Sequence, residues 1–554
     1  CGDGTDDGAR NTAVGAGAVS ANAGDDNTAV GYEALKVVTG SDNTAVGSYA
    51  GVSLTSGEDN TLMGIMSGDA LTDGNYNVAM GFHALSGSQS GSKNVAIGWQ
   101  SMYSSNHTDA DGTVAIGTSS LQTLSSGQYN VAVGEASGYA ITTGDSNTIL
   151  GWKAGKSNVT GDKNVVIGDS AMYSQSHADT DRNVAIGSSA MVGGTGNIAR
   201  SIAIGSFAMD GTGSIGGTDN VFIGDSAGGG SWATAASNYN TAVGGNSMDA
   251  VMNGAGYNVA MGYNSLSALT EGDYNTAVGT ESGNDITTGS QNTLVGYNSG
   301  GAINTGANNV VVGTNAGDAM TDTSNTVLIG WSAGSAINSA DSNGTIAIGY
   351  QAGVNISEAV GSVIMGYQAG YSVQTNDYNV FIGYQAGFDA DSADTNATFN
   401  SYVGTFSGKN MDDGSANTAL GAYALYGSTS AGNDAANCVA VGVSALEDLT
   451  TGDDNVAVGA YALRDITTGA ANVAIGHQAL DAGTTVNNSV AIGKDAMGAV
   501  PSGQAVENAV AIGVGALTGS ASTTDGINGT VAIGYFAGND LTTGVNNTLV
   551  GYMS

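Results

Sequence analysis

Asn11-Thr12-Ala13-Val14-Gly15 returns as Asn27-Thr28-Ala29-Val30-Gly31 and as Asn43-Thr44-Ala45-Val46-Gly47, and the chain closes on Asn547-Thr548-Leu549-Val550-Gly551. Counted by its glycine, the unit occurs 31 times between Gly15 and Gly551. Gly47, Gly64, Gly81 and Gly98 are evenly spaced, as are Gly117, Gly134, Gly151 and Gly168. More than half of all the intervals share that period of about 17 residues, and the others are slightly shorter or longer. A short period sustained along a whole chain defines a repeat architecture, and it overrides the three or four globular domains that 554 residues would otherwise suggest.

One rung suffices to read the unit. In Asn130-Val131-Ala132-Val133-Gly134 the β-branched residues alternate, which reads as a strand. The residue between them is mostly Ala, but Leu62, Ile149, Val166, Phe222, Leu294, Phe381 and Tyr402 also stand there. Both strand faces are therefore apolar or small, a pattern of two-sided burial. One face meets the coil's own interior; the other needs a second surface, for which another copy of the chain is the simplest source. The Ala/Leu/Phe face is the one expected to meet that copy.

Seven residues past the glycine comes a second apolar anchor, as in Leu71, Ile141, Leu269, Ile286, Met320, Leu449, Ile466 and Leu541, read as a second short strand. Thr-Thr-Gly segments such as Thr142-Thr143-Gly144 then supply the return turn. Two strands and two turns in so short a rung predict an all-β fold, a flattened, two-sided parallel β-solenoid. The Asn opening each rung is expected to form an internal amide ladder. The repeat glycines, among them Gly15, Gly31, Gly47, Gly134, Gly296, Gly383, Gly476 and Gly551, are expected at a corner that needs glycine. No capped helical period is present. Residues 1–10 read as a polar lead-in, and 11–554 as one continuous solenoid without an internal boundary.

The repeat core, as in Asn94-Val95-Ala96-Ile97-Gly98 and Asn472-Val473-Ala474-Ile475-Gly476, resembles the head repeat of YadA-like trimeric autotransporter adhesins. The longer form, Tyr367-Gln368-Ala369-Gly370 and Tyr384-Gln385-Ala386-Gly387, is similar to repeats of phage tail fibres. The resemblance implies a left-handed parallel β-roll and a homotrimeric fibre, extracellular, on a virion or a bacterial surface, attaching to a glycan or protein receptor. The adhesin rung is shorter than this one, and no coiled-coil stalk, membrane anchor or C-terminal chaperone domain is visible.

Composition limits the partners. A net charge of −37 with 11 basic residues argues against nucleic acid and against docking on anionic lipid. No run of 18 apolar residues exists, so no helical membrane span is expected. Cys1 and Cys438 do not make a disulfide framework. The chain does not start with Met and stops just after a repeat core, so it reads as a processed or partial chain, with further protein expected on one or both sides; a lipoprotein start at Cys1 is the alternative.

Three groups of residues are candidate sites. His107, Asp109 and Asp111, matched by His177, Asp179 and Asp181, carry imidazole and carboxylate, which suit several divalent metals; solvated turns that use Asp for their backbone bonds are the favoured reading. Acidic turns such as Asp25-Asp26, Glu58-Asp59 and Asp453-Asp454 are candidates for calcium, without the Asp ladder of calcium-binding β-rolls; no other cofactor is expected. An aromatic often follows the repeat glycine: Tyr32, Phe82, Trp99, Trp152, Tyr263, Tyr297, Trp331, Tyr350, Tyr367, Tyr384 and Tyr535. At rung spacing these would line one edge, either as a contact platform or packed at a chain–chain seam. The four histidines fall in different rungs and no nucleophile elbow or phosphate loop stands out, so no catalytic activity is expected. The alternative to a fibre is a monomeric ligand-binding solenoid for polysaccharide or ice. An ice-binding Thr row begins at Thr12, Thr28, Thr44 and Thr61, but Val78, Val95, Val114 and Val131 replace it.

Overall fold

The computed structural model describes residues 8–19, 22–104, 110–390, 397–429, 432–500, 503, 505–519, 527–541 and 544–554. The chain divides into two compact units, Cys1–Thr280 and Glu281–Ser554. Each is a parallel β-solenoid: one three-residue strand per rung, paired in register with the strand of the next rung. In the first unit Thr28–Val30 pairs with Thr44–Val46, Ala29 opposite Ala45; in the second Val473–Ile475 pairs with Val490–Ile492, Ala474 opposite Ala491. The helical content of the described residues is one short 3-10 turn, Ala340–Ser342, and none of it is long and apolar enough to cross a membrane.

The Asn ladder forms as the repeat predicts. Asn60 donates its backbone N–H to Asn43 Oδ1 (3.0 Å) and its side-chain amide to Gly74 O (2.9 Å); Asn77 repeats the bond onto Asn60 (3.0 Å). In the second unit Asn417 donates to Asn400 Oδ1 (2.9 Å) and Asn472 to Asn455 Oδ1 (3.1 Å). These amides are fully buried. Left unpaired they would each cost about 1–3 kcal/mol, so their mutual satisfaction is what lets an amide open most rungs of an apolar coil, with Thr, Ser or Cys in others such as Thr113, Ser201 and Cys438.

The expected second strand is not part of the regular rung. Past Gly81, His83 and Leu85 both adopt left-handed backbone (φ 54° and 57°). His83 N–H bonds back to Ile65 O at 3.2 Å and Leu85 N–H bonds forward to Ser101 O at 2.9 Å. Alternating left-handed residues point successive amides to opposite neighbours, which a pleated strand cannot do on one edge. A non-glycine in this region costs about 1 kcal/mol. Burying the Leu85 side chain returns roughly 1.5–3 kcal/mol, so the position tolerates Leu or Met when the side chain reaches the core.

That exchange explains the irregular middle residue of the strand. Ala79 is followed six residues later by Leu85, Ala185 by Met191 and Ala457 by Leu463; the large Leu62, Phe222, Phe381 and Tyr402 are followed by Gly68, Gly228, Gly387 and Gly408. A Cβ on Gly228 would lie 2.7 Å from the Phe222 ring, and one on Gly68 2.9 Å from Leu62 Cδ2. The two positions share one slot in a close-packed core; where both are small, as at Ala45 and Gly51, large side chains of the adjacent rungs fill it, and a Cβ on Gly51 would lie 2.8 Å from Leu62 Cδ1 and 3.0 Å from Leu35 Cδ2.

The face assignment is a correction. Ala29, Leu62, Phe222, Phe381 and Tyr402 all point into the coil's own interior and are fully buried. The face left outside carries mostly Thr or Val at the first strand position, with Ile202, Ile346 and Ser401 as exceptions, and Val, Ile, Leu or Met at the third. Met63, Met80 and Ile223 in the first unit, and Val295, Ile329 and Ile475 in the second, stand 36–40% exposed. The Thr/Val row that begins at Thr12 lies on this outward face, apart from the core.

The repeat glycines sit where the chain leaves the strand. All eight named above have φ between +136° and +147°. At Gly134 (φ +136°) an added Cβ would collide with the carbonyl oxygen of Gly151 in the next rung and lie 2.7 Å from its carbonyl carbon. Conformation and close stacking both require glycine there.

Candidate functional site

The glycine corner turns the following residue outward, and Tyr32, Trp99, Trp152, Tyr297, Trp331, Tyr350, Tyr367 and Tyr384 are all exposed. Four of them form one column. Trp331 stacks on Tyr350 (ring centroids 5.0 Å apart, 13° between planes), Tyr350 on Tyr367 (5.1 Å, 7°) and Tyr367 on Tyr384 (5.1 Å, 5°). Phe406 continues the path edge-on at 5.2 Å. Beside the column runs a glutamine ladder: Gln368 Nε2 donates to Gln351 Oε1 and Gln385 Nε2 to Gln368 Oε1, both at 2.9 Å.

The remaining predicted aromatics stand apart from this column. Tyr32 meets Tyr49 edge-on at 5.2 Å. Trp99, Trp152 and Tyr297 are followed one rung on by Thr118, Asp169 and Thr314. The Lys153 ammonium lies 3.8 Å over the Trp152 ring, a cation–π contact. A side-chain hydrogen bond to Glu281 holds the Tyr297 phenol above its usual range, and one to Glu33 does the same at Tyr32.

Stacking decides what the column can do. Rings 5.0 or 5.1 Å apart in parallel spend their faces on each other and present edges and hydroxyls. Recognition of a sugar ring needs a free aromatic face, which the interior of such a column lacks. Its flat, uncharged edge suits cohesion or packing against another surface.

Two further aromatic stacks, one in each unit, were missed in the sequence. Tyr239, Tyr257 and Tyr274, each immediately before a ladder Asn, stack at 4.9 and 5.0 Å, and Tyr378 stacks on Phe399 at 5.5 Å. All five have φ near +60°. The signal was the recurring Tyr-Asn pair; missing was the left-handed backbone that turns those side chains outward together.

Of the metal candidates, His107 and Asp109 lie outside the described residues. Asp111 Oδ1 accepts the Ser92 N–H at 2.7 Å, and Asp181 Oδ1 accepts the Asp162 N–H at 2.8 Å. Asp145 and Asp162 make the same bond to the rung before. These carboxylates tie one turn to the next. His177 Nδ1 accepts from the Asp179 N–H at 3.2 Å. In the acidic turns, Asp25 caps the Ala9 N–H, Asp26 pairs with Arg10, and Asp453 caps the Ala436 N–H. Among the described residues no three His, Cys, Asp or Glu side chains converge on one point.

One cluster has the composition of a hydrolytic triad. His83 Nδ1 lies 3.0 Å from Ser86 Oγ and 4.0 Å from Asp69 Oδ2. Both partners address the same ring nitrogen, whereas a relay needs one on each. Ser86 also gives its proton to Met66 O at 2.9 Å. Burial raises the Asp69 carboxyl above its ordinary range, with Ser86 and His83 pulling it back.

No known family model matches the chain, and a search of curated proteins finds no match to it.

Proposed function

We propose that the chain is the shaft of a homotrimeric attachment fibre, extracellular, carried on a virion or a bacterial surface and meeting a cell-surface glycan or protein. The observation that carries this reading is the outward strand face, a Val/Ile/Leu/Met surface repeated from rung to rung in both units. Soluble chains rarely leave a contiguous apolar surface of that extent uncovered. Three copies meeting on that face would bury it without leaving an open edge, as closed symmetric assemblies do. The mechanism is mechanical: stacked backbone bonds and a continuous core resist bending, and repeated edges sum weak contacts by avidity. The Gly-Tyr-Gln-Ala-Gly rungs, similar to tail-fibre repeats, favour the virion. The acidic surface keeps such a particle soluble and away from nucleic acid.

The test is the mass of the soluble particle by light scattering at low concentration, together with a Val473→Asp/Ile475→Asp variant. Three chains, falling to one in the variant, would support the fibre. One chain for the parent would sink it and bring forward the monomeric ligand-binding solenoid.

A further inference from the structure

Basic side chains are scarce in this chain, 11 against a net charge of −37. Two of them, Lys153 and Lys156, nevertheless stand in one rung of the first unit, and among the described residues neither forms an ion pair with a carboxylate. Aromatic rings hold them. The Lys153 ammonium lies 3.8 Å over the Trp152 ring. The Lys156 ammonium lies 5.2 Å from the centre of the Tyr173 ring and 3.3 Å from its hydroxyl. A carboxylate would neutralise an ammonium; a ring fixes its position and leaves its charge in place.

The groove beside them has a volume of about 310 Å³ and is lined by Trp152, Lys153, Ser170, Tyr173, Ser189 and Val192. Lys156 reaches its margin through the Tyr173 hydroxyl. Backbone bonds account for the shape. Ser170 N–H bonds to Trp152 O and Ser189 N–H to Asp169 O, both at 2.9 Å, so Lys153, Ser170 and Ser189 occupy one position in three successive rungs. Ser157 N–H to Tyr173 O (3.2 Å) and Ser174 N–H to Val192 O (3.1 Å) set Lys156, Tyr173 and Val192 in a second such column. The groove runs between the two. Serine keeps it open, since the next rung carries Phe207 at the position of Ser170 and Ser189.

The lining is mixed in chemistry. Val192 and the Tyr173 ring are apolar. Among the described residues the Ser170 and Ser189 hydroxyls make no side-chain hydrogen bond, and neither Trp152 nor Tyr173 stacks on another aromatic ring. Asp169, exposed and one rung on from Trp152, is the acid adjacent in sequence to the lining, and its charge opposes that of the lysines. The volume lies at the lower end of the roughly 300–1,000 Å³ of ligand pockets. An apolar wall, free hydroxyls and uncancelled positive charge match a small polyhydroxylated ring that carries an anionic group.

We propose that this groove binds a carboxylated sugar ring, a uronic or sialic acid residue of an acidic glycan. The carboxylate pairs with Lys153 and is attracted by Lys156. The ring hydroxyls meet Ser170, Ser189 and Tyr173, and the C–H surface packs on Tyr173 and Val192. Because the chain as a whole repels anions, binding depends on these two ammoniums. This deepens the attachment reading, and it rests on that reading for the source of the glycan, a cell surface.

The experiment is saturation-transfer NMR and affinity titration at fixed ionic strength. The probes are an oligogalacturonate and sialyllactose, with lactose as the neutral comparison and a sulfated galactose oligosaccharide as the other anion. At least one carboxylated probe is expected to bind more tightly than lactose. Lys153→Gln/Lys156→Gln should weaken it about tenfold or more, and Asp169→Asn should strengthen it. Ser189→Phe, which repeats the residue of the next rung, should block the groove. No binding by any probe, lactose binding as tightly as the carboxylated probes, or binding of the sulfated probe alone would each overturn the proposal. So would carboxylate binding unmoved by the lysine variant. Should circular dichroism show that variant unfolded, the other two decide, and unchanged binding in both overturns the groove. Particle mass on the same samples separates this result from the fibre reading: a single chain that still binds sinks the fibre alone, and a trimer that does not bind sinks the groove alone.

Discussion

Residues 296–383 and residues 187–262 apply the same rung to different turn lengths. In the first stretch the glycines are evenly spaced at every step except Gly330 to Gly349. In the second, the steps through Gly187, Gly205, Gly224, Gly244 and Gly262 are longer and unequal. The strands are indifferent to this. Ile202–Ile204 pairs in register with Val221–Ile223 across a long turn, just as Val363–Met365 pairs with Val380–Ile382 across a short one. What changes lies outside the strands. The glutamine ladder Gln351–Gln368–Gln385 follows the even steps, but ring stacking does not need them: Trp331 stacks on Tyr350 across the uneven step and Tyr239 on Tyr257 within the loose stretch. Unequal spacing forces the turns to find local solutions. One is a second strand pair, Asn197–Ala199 with Gly216–Thr218; another is Trp232, buried against Gly217 and edge-on to Phe222 at 6.3 Å. Insertions thus alter the edge of a rung and leave its core register intact, which is why repeat arrays tolerate them.

The largest way to break the comparison is to attack what both stretches share. Gly134→Val puts a β-branched side chain at φ +136° against the Gly151 carbonyl. It is expected to cost about 4 kcal/mol or more, read as loss of cooperative unfolding in denaturant. Unchanged stability would refute the corner assignment. Gly213 is the contrast inside the loose stretch: its φ is +55°, and a Cβ there meets nothing within 4 Å. Gly213→Asn, with a residue that tolerates this backbone, should stay within about 1 kcal/mol of the parent.

The next effect is confined to the loose stretch. Trp232→Ala should cost about 3 kcal/mol by opening a cavity beside Phe222. If unequal turns were simply slack, the variant would melt like the parent.

These contrasts mark how far the residues themselves could be read. The period, the strand, the Asn ladder and the glycine corner were legible because each is a local chemical requirement repeated along the chain. Which face of the strand turns inward was not. Val131 and Val133 are as apolar as Ala132, so period-two alternation gave two buried-looking faces and no means to choose. The choice became visible only through the pairing of Ala79 with Leu85 and of Phe222 with Gly228, a spacing of six that belongs to neither helix nor strand. The second strand failed for a related reason: left-handed Leu85 and His83 are unfavourable one at a time, and only the packed stack offsets them. Of the site residues, the exposed aromatics were legible singly; their stacking needed rings at the same place in consecutive rungs, which the strand register provides whatever the turn length.

A smaller effect separates the stretches by charge. In the loose stretch burial raises the carboxyls of Asp210 and Asp249 above the ordinary range, Asp249 also through Asp225; in the regular one burial raises Asp318. A raised folded-state value means that the folded chain takes up the proton first. Stability therefore rises as pH falls through that raised value toward the unfolded one. Asp219, lowered by its hydrogen bond to Arg200, works in the opposite sense: its contribution is present above the unfolded value and lost as pH falls through the folded one. Among the described residues, carboxyls raised by burial, such as Asp69, Asp389, Asp448 and Asp481, outnumber those lowered by an arginine, Asp26 and Asp219. Mild acidification from neutral pH should therefore raise the melting temperature. Asp210→Asn should reduce that gain; a melting temperature that falls over the same interval would reject the burial argument.

The least effect is expected inside the column itself, and it is the sharpest test of what ring stacking provides. Tyr350 and Tyr367 are exposed, so each alanine substitution alone should cost no more than about 1 kcal/mol. If their stacking is cohesive, the double variant will lose less than the sum of the two single losses, with a coupling of about 0.5–1.5 kcal/mol. The same cycle on Trp99 and Trp152, separated by Thr118 and Glu135, should show no coupling. Coupling at both pairs would mean that exposed aromatics on this fold interact through the backbone stack, and that direct ring contact has no energetic role of its own.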